Sequence, residues 1–190
     1  MQAVIFDCFG VLYGSSIEFL TQQCAPGQRS ELADLNKQFD YGFIDTSAYE
    51  RGVAELLGWT AERTHQAIWQ KRVRNSALIE YISALRQAGS VKLGLLSNVG
   101  AGTLNQLFEP GELDRLFEVQ VLSYLENLAK PNPEIFRLAA RRLGVAPSEC
   151  VMIDDRPENC EGAEMAGMRS LQHTSNALTI ERLNKLIGEK

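Results

Sequence analysis

Apolar residues fall into two patterns along this chain. Val4-Ile5-Phe6, Leu93-Gly94-Leu95-Leu96 and Val151-Met152-Ile153 are continuous runs with no polar alternation. Such runs suit strands buried on both faces, as in a parallel sheet. The strands predicted are Ala3–Phe6, Lys92–Leu96, Val119–Leu122, Cys150–Ile153 and Arg169–Gln172. Between them the spacing turns helical. Leu78, Ile82 and Leu85 share one face, and Gly89 offers a stop. Ile135, Phe136, Ala139, Ala140 and Leu143 form a second stripe, which Asn132 can cap, Pro133 can open and Gly144 can end. Leu178, Leu183, Leu186 and Ile187 form a third. Strands alternating with helices predict a doubly wound, Rossmann-like α/β domain with a parallel five-stranded sheet.

Residues 7–91 break the alternation. They hold no strand pattern, and a simple crossover needs far fewer residues. Helical patterns cover Ile17 to Gln23, Glu31 to Phe39, Thr46 to Leu57 and Ala61 to Val73, punctuated by Pro26-Gly27, Tyr41-Gly42 and Gly58-Trp59. The expected organisation is a core of residues 1–13 and 89–190, interrupted by a helical cap over residues 14–88.

Composition narrows the class. With 45% hydrophobic and 23% charged residues, the chain is globular rather than disordered. Lys and Arg number 19 against 24 Asp and Glu, and the net charge of −5 argues against a nucleic-acid partner. No apolar stretch approaches the ~18 residues of a membrane span. The apolar start has no basic segment before it and meets Asp7 at once, so no signal peptide is expected. Cys8, Cys24, Cys150 and Cys160 lack metal or redox spacing. They read as reduced thiols of a cytoplasmic protein.

Ligands of open α/β sheets bind beyond the carboxyl ends of the strands. The polar residues there are Asp7 after the first strand, Ser97 and Asn98 after the second, and Asp154 and Asp155 after the fourth. Lys130 precedes the Asn132-capped helix. Three carboxylates at one mouth repel one another and call for a counter-charge, which a hard divalent cation such as Mg²⁺ supplies. Lys130 can balance Asp7 or clamp an anion. Ser97 and Asn98 can donate hydrogen bonds to phosphoryl oxygens. An Asp can also attack phosphorus directly. Set against these roles, Asp154 is the carboxylate more suited to a structural part. His65 and His173 have no ligand-like neighbours and read as structural.

These segments together resemble the motifs of the haloacid dehalogenase (HAD) superfamily, in the branch with a helical cap after the first strand. The motifs are Phe6-Asp7-Cys8-Phe9-Gly10-Val11-Leu12, Leu96-Ser97-Asn98, Lys130 to Phe136, and Ile153 to Asn159. The resemblance spans nearly the whole chain. It implies Asp7 as nucleophile and metal ligand, the Phe9 backbone carbonyl as a second ligand, and Asp155 with Asp154 completing an Mg²⁺ site. Ser97, Asn98 and Lys130 would hold the phosphoryl group of a small-molecule phosphate ester. Sugar-phosphate phosphatases of the α-glucose-1-phosphate type are the favoured likeness, sharing approximately the run from Gly42 to Tyr49.

One position departs from the pattern. Most phosphatases of the superfamily carry a second Asp two residues after the nucleophile, as general acid and base. Here Phe9 stands there and can do neither. General acid–base help is typically worth about 10²- to 10⁴-fold. The resemblance therefore admits a phosphatase that manages otherwise, a metal-independent 2-haloacid dehalogenase, or a non-catalytic relative. The adjacent acids Asp154-Asp155 favour the first.

Overall fold

A computed structural model describes residues 1–188. The chain opens with strand β1 (Ala3–Phe6) and passes into helices α1 (Ile17–Gln23), α2 (Arg29–Asp40), α3 (Thr46–Leu57), α4 (Ala61–Gln70) and α5 (Ser76–Ala88). Strand β2 (Lys92–Ser97), the short helices α6 (Leu104–Leu107) and α7 (Glu112–Leu116), and strand β3 (Val119–Leu122) come next. Then follow α8 (Ser123–Glu126), α9 (Pro133–Leu143), β4 (Cys150–Asp154), α10 (Pro157–Met165), β5 (Arg169–Gln172) and α11 (Asn176–Gly188).

The five strands form one parallel sheet in the order β3-β2-β1-β4-β5. Beyond β1 and β4 the strand order reverses, which opens a crevice at their carboxyl ends. Register decides what lies in that crevice. Phe6 pairs with Leu95 on one side and with Ile153 on the other. The residues that follow, Asp7 and Asp154, therefore emerge side by side.

The continuous apolar runs are split between the two sheet faces. Val4, Phe6, Leu93, Leu95, Val151 and Ile153 pack in one layer. Ala3, Ile5, Leu96, Cys150 and Met152 pack in the other, under Ile135, Phe136, Ala139, Ala140 and Leu143 of α9. Neither face meets water, so neither needs polar alternation. Asn132 accepts the Glu134 N–H at 3.0 Å, capping α9, and Gly144 ends it in the left-handed region. The short helices α6, α7 and α8 leave no periodic trace in the sequence, because a single turn has no period.

Helices α1 to α4 build their own core from Leu20, Leu32, Phe39, Tyr49, Val53 and Ile68. The chain enters and leaves this insertion through one neck. Gly14 donates to Val73 O at 2.9 Å, and Asn75 donates to Leu12 O and Val11 O, each at 2.8 Å. Leu78, Ile79 and Ile82 of α5 pack with the sheet instead. We therefore propose that the insertion closes at about residue 75, ahead of the expected limit at 88. Periodicity shows that a helix has an apolar face but not which core that face meets.

All four cysteines are buried and free. No helix among the described residues is long and apolar enough to cross a membrane.

The packing of α5 has a measurable consequence. Its amides should exchange with those of β1 and β2 rather than with those of α1 to α4 in native-state hydrogen exchange. Ile82→Ala should cost about 2–5 kcal/mol in urea denaturation, as for other buried truncations.

Candidate active site

The sheet mouth gathers Asp7, Asp154 and Asp155, with one carboxylate oxygen from each lying within 4.8 Å of the others. Lys130 enters from the loop before α9. Its ammonium is 2.8 Å from Asp7 Oδ1 and 2.6 Å from Asp154 Oδ2, and its side chain is 1% exposed. Three carboxylates thus surround one ammonium, which contacts two of them.

The charge imbalance appears in the proton affinities. Burial, then the Asp154 carboxylate, pushes Asp7 well above the usual carboxylate range, against the pull of Lys130. Burial and Asp154 raise Asp155 to about 6. For Lys130, burial works to lower the ammonium, but Asp154 and Asp7 outweigh it and hold it above its usual range. Each shift has the cause expected of an anionic cluster short of cations.

The three acids are not equivalent. Asp7 Oδ1 also accepts the Cys8 N–H at 2.6 Å, and the Asp7 N–H donates to Ile153 O at 2.9 Å. Asp154 is fully engaged. Its Oδ2 accepts Lys130, and its Oδ1 accepts the Arg156 N–H at 3.0 Å and Asn159 Nδ2 at 2.9 Å. Its visible work is to hold Lys130 and the turn into α10. Asp155 differs, because its Oδ1 is buried without a hydrogen-bond partner. A buried carboxylate oxygen left unpaired is costly. Gly10, with a φ of +86°, lies against that carboxylate, and a Cβ there would overlap it. The orphaned oxygen, the glycine cradle and the all-oxygen donor set fit a hard divalent cation.

Ser97 ends β2 and Asn98 follows it, at the same mouth. Asn98 clamps the Lys130 backbone at both ends, Nδ2 to O and Oδ1 from N, each at 2.9 Å. Its amide therefore positions the lysine loop. Ser97 is wholly buried, and its hydroxyl makes a long 3.4 Å contact with Asn98 O. Phe9 presents a half-buried ring with the Arg72 guanidinium 5.5 Å from its centroid. Arg156 pairs with Glu158.

Two residues of the insertion reach the site without any warning in the sequence. Asp40, the last residue of α2, shares with Asp7, Phe9, Asn98, Lys130 and Asp155 the lining of a cavity of about 50 Å³. Burial raises its carboxyl to about 6, against Arg156, Lys130 and a hydrogen bond from Asn98. Arg72 lies on the Trp69 ring at 4.2 Å, and its Nη1 is buried without a partner. A larger cleft of about 400 Å³ adjoins this cavity, lined by Thr21, Arg29, Asn36, Lys37, Asp40 and Tyr41 from the insertion and by Asn98, Lys130 and Arg156 from the core. That size suits a small organic ligand.

A sequence model of the haloacid dehalogenase-like hydrolases matches residues 1–167. Over nearly its whole length the chain is 24% identical to the sesquiterpene phosphatase astK of Aspergillus oryzae, the match covering 98% of this chain and 97% of that protein. It is 21% identical to an (S)-2-haloacid dehalogenase of Pseudomonas putida, covering 88% and 82%. Shorter matches run to further phosphatases. The chain spans 10% and 40% of the length of the first two curated relatives it matches. Among solved structures, a HAD family enzyme of Bacteroides thetaiotaomicron in complex with magnesium and inorganic phosphate superposes with a TM-score of 0.72. Sequence identity there is 22%, over 93% of this chain and 96% of that one. At that identity the likeness concerns the fold.

The central ion pairs can be tested by removing the cation. Lys130→Met should leave Asp7 and Asp154 buried without their shared partner. Breaking a buried pair in this way costs about 3–5 kcal/mol, and urea denaturation in the presence of a chelator should register that loss.

Proposed function

The chain belongs to the haloacid dehalogenase-like hydrolases, and on that basis we propose that it is a Mg²⁺-dependent phosphatase of small phosphomonoesters. The observation that carries this reading is the buried imbalance of charge. Three carboxylates gather around one ammonium that contacts two of them, and an Asp155 oxygen has no partner. A divalent cation supplies the missing charge, and a phosphoryl group is the substrate that such a cation and Lys130 would bind together.

In the proposed reaction the free oxygen of Asp7 attacks phosphorus and forms an aspartyl-phosphate. Asp7, Asp155 and the Phe9 carbonyl oxygen would hold the cation, whose bound charge stabilises the phosphoryl oxygens. Asp154 would stand behind them as the residue that keeps Lys130 in place. Lys130 would offset charge on the phosphoryl group, and Ser97 would donate to it. Asn98 would keep the Lys130 loop in register. The rest of the substrate would occupy the 400 Å³ cleft. Its polar lining of Asn36, Thr21, Arg29 and Lys37 suits a hydroxyl-bearing ester such as a sugar phosphate.

A second reading has its own support. An aromatic at position 9 and the unpaired Arg72 nitrogen beside it suit a dehalogenase that holds a substrate carboxylate. The paired acids Asp154 and Asp155 count against it, because halide displacement by Asp7 needs no cation.

A side-by-side screen separates the readings. With Mg²⁺ present, phosphomonoesters should be turned over, a chelator should stop the reaction, and Asp7→Asn should abolish it. Halide release from 2-haloacids indifferent to chelator would favour the dehalogenase. Mg²⁺ should also raise the thermal midpoint of the wild type, since a ligand bound only by the native state stabilises it. Asp7→Asn should largely remove that rise.

A further inference from the structure

Phe9 leaves the site without the acid that its chemistry calls for, and the insertion brings another carboxyl to the same cavity. We propose that Asp40 is the general acid and base of this enzyme. This rests on the phosphatase reading above.

Three observations carry it. The first is location. Asp40 lines the small cavity together with Asp7, Phe9 and Lys130, and it also lines the large cleft. It therefore stands where the two meet. In the proposed reaction the scissile ester oxygen lies at that junction, between a phosphoryl group at Asp7 and a leaving group in the cleft.

The second is anchoring. The end of α2 is locked onto the core by fitted contacts. Ser123 Oγ donates to the Asp40 carbonyl oxygen and accepts the Val99 N–H at 2.9 Å. The Phe39 ring lies where a Cβ on Gly100 would be. Gly42 approaches Tyr124 so closely that a Cβ would come within 2.8 Å of the Tyr124 Cβ. Asn98 shares the lining of the small cavity with Asp40 and clamps the Lys130 backbone at both ends. The lysine that contacts the nucleophile is thus held in the same cavity wall as Asp40. A catalytic acid needs this placement before it needs a tuned proton affinity.

The third is chemical. Burial lifts the Asp40 carboxyl to about 6. That leaves it partly protonated near neutral pH, as an acid that later serves as a base requires.

The steps balance. Asp7 attacks phosphorus, the bond from phosphorus to the ester oxygen breaks, and its electron pair goes to that oxygen. The oxygen takes the Asp40 proton and leaves as the alcohol. Water then attacks the aspartyl-phosphate while the Asp40 carboxylate takes its proton. The bond from phosphorus to Asp7 breaks, its electron pair returns to the Asp7 carboxylate, and inorganic phosphate departs.

The test compares leaving groups. A good leaving group needs no proton, whereas an alkoxide does. With Mg²⁺ present, kcat/KM is measured for p-nitrophenyl phosphate and for glycerol 2-phosphate. For each, it reports steps only up to release of the alcohol. Asp40→Asn should lower the alkyl value by about 10²- to 10⁴-fold and the aryl value by less than about tenfold. Asp40→Glu keeps a carboxyl and should hold the alkyl-to-aryl ratio near that of the wild type. An alkyl-to-aryl ratio unchanged from the wild type in the Asn variant, or a ratio in the Glu variant as low as in the Asn variant, at an unchanged thermal midpoint, would overturn the proposal. Wild-type silence on both esters would instead remove the phosphatase reading, and this proposal with it.

Discussion

Lys130 sits between Asp7 and Asp154 with almost no water around it, and the rest of the site is arranged around that contact. The buried ammonium is held charged by its two carboxylates, and it offsets the repulsion between them. The pairing needs β1 and β4 adjacent in one register, so that Asp7 and Asp154 emerge together. It also needs the loop before α9 pinned at the right depth, which Asn98 does through the Lys130 backbone. Asp155 is the remainder. It adds a third negative charge that no contacting protein cation balances, and its oxygen is left without a partner. The same register that pairs the two strands therefore also creates the excess of negative charge at the mouth.

The helical insertion is joined to this centre by two different kinds of contact. At its neck, backbone hydrogen bonds at Gly14 and Asn75 tie entry and exit together. At its tip, the end of α2 sits on Gly100, Ser123 and Tyr124. The first fixes where the insertion is attached, and the second fixes where Asp40 lies. A chain that lacks an acid at position 9 can thus present one from a helix in another module. Nothing in the backbone of β1 needs to change for that, because the sheet mouth stays open toward the insertion.

The sheet was legible because burial on both faces leaves an unmistakable run of apolar residues, as at Val4 to Phe6 and Val151 to Ile153. The α9 boundaries were legible because Asn132, Pro133 and Gly144 have local conformational reasons to stand where they do. Asp7, Lys130, Asp154 and Asp155 were legible because each follows a strand or opens a helix, and open α/β sheets place such residues at one mouth. The role of α5 was not legible. Its stripe of Leu78 and Ile82 suits either core, and only packing assigns it to the sheet. Nor was the closure of the Asn98 amide on the Lys130 backbone, since the two residues lie 32 positions apart.

By itself, then, the sequence determined the parallel sheet, the place of the insertion and the acids at the strand ends, since these follow from local periodicity and from position along the strands. Tertiary structure decided which acid is satisfied and which is not, that Asn98 pins the Lys130 loop, and that Asp40 and Arg72 reach the cavity beside Phe9. Those outcomes depend on contacts between residues far apart in the chain. Such contacts are set by how two cores are stacked, and no short-range pattern of apolar and polar residues encodes them.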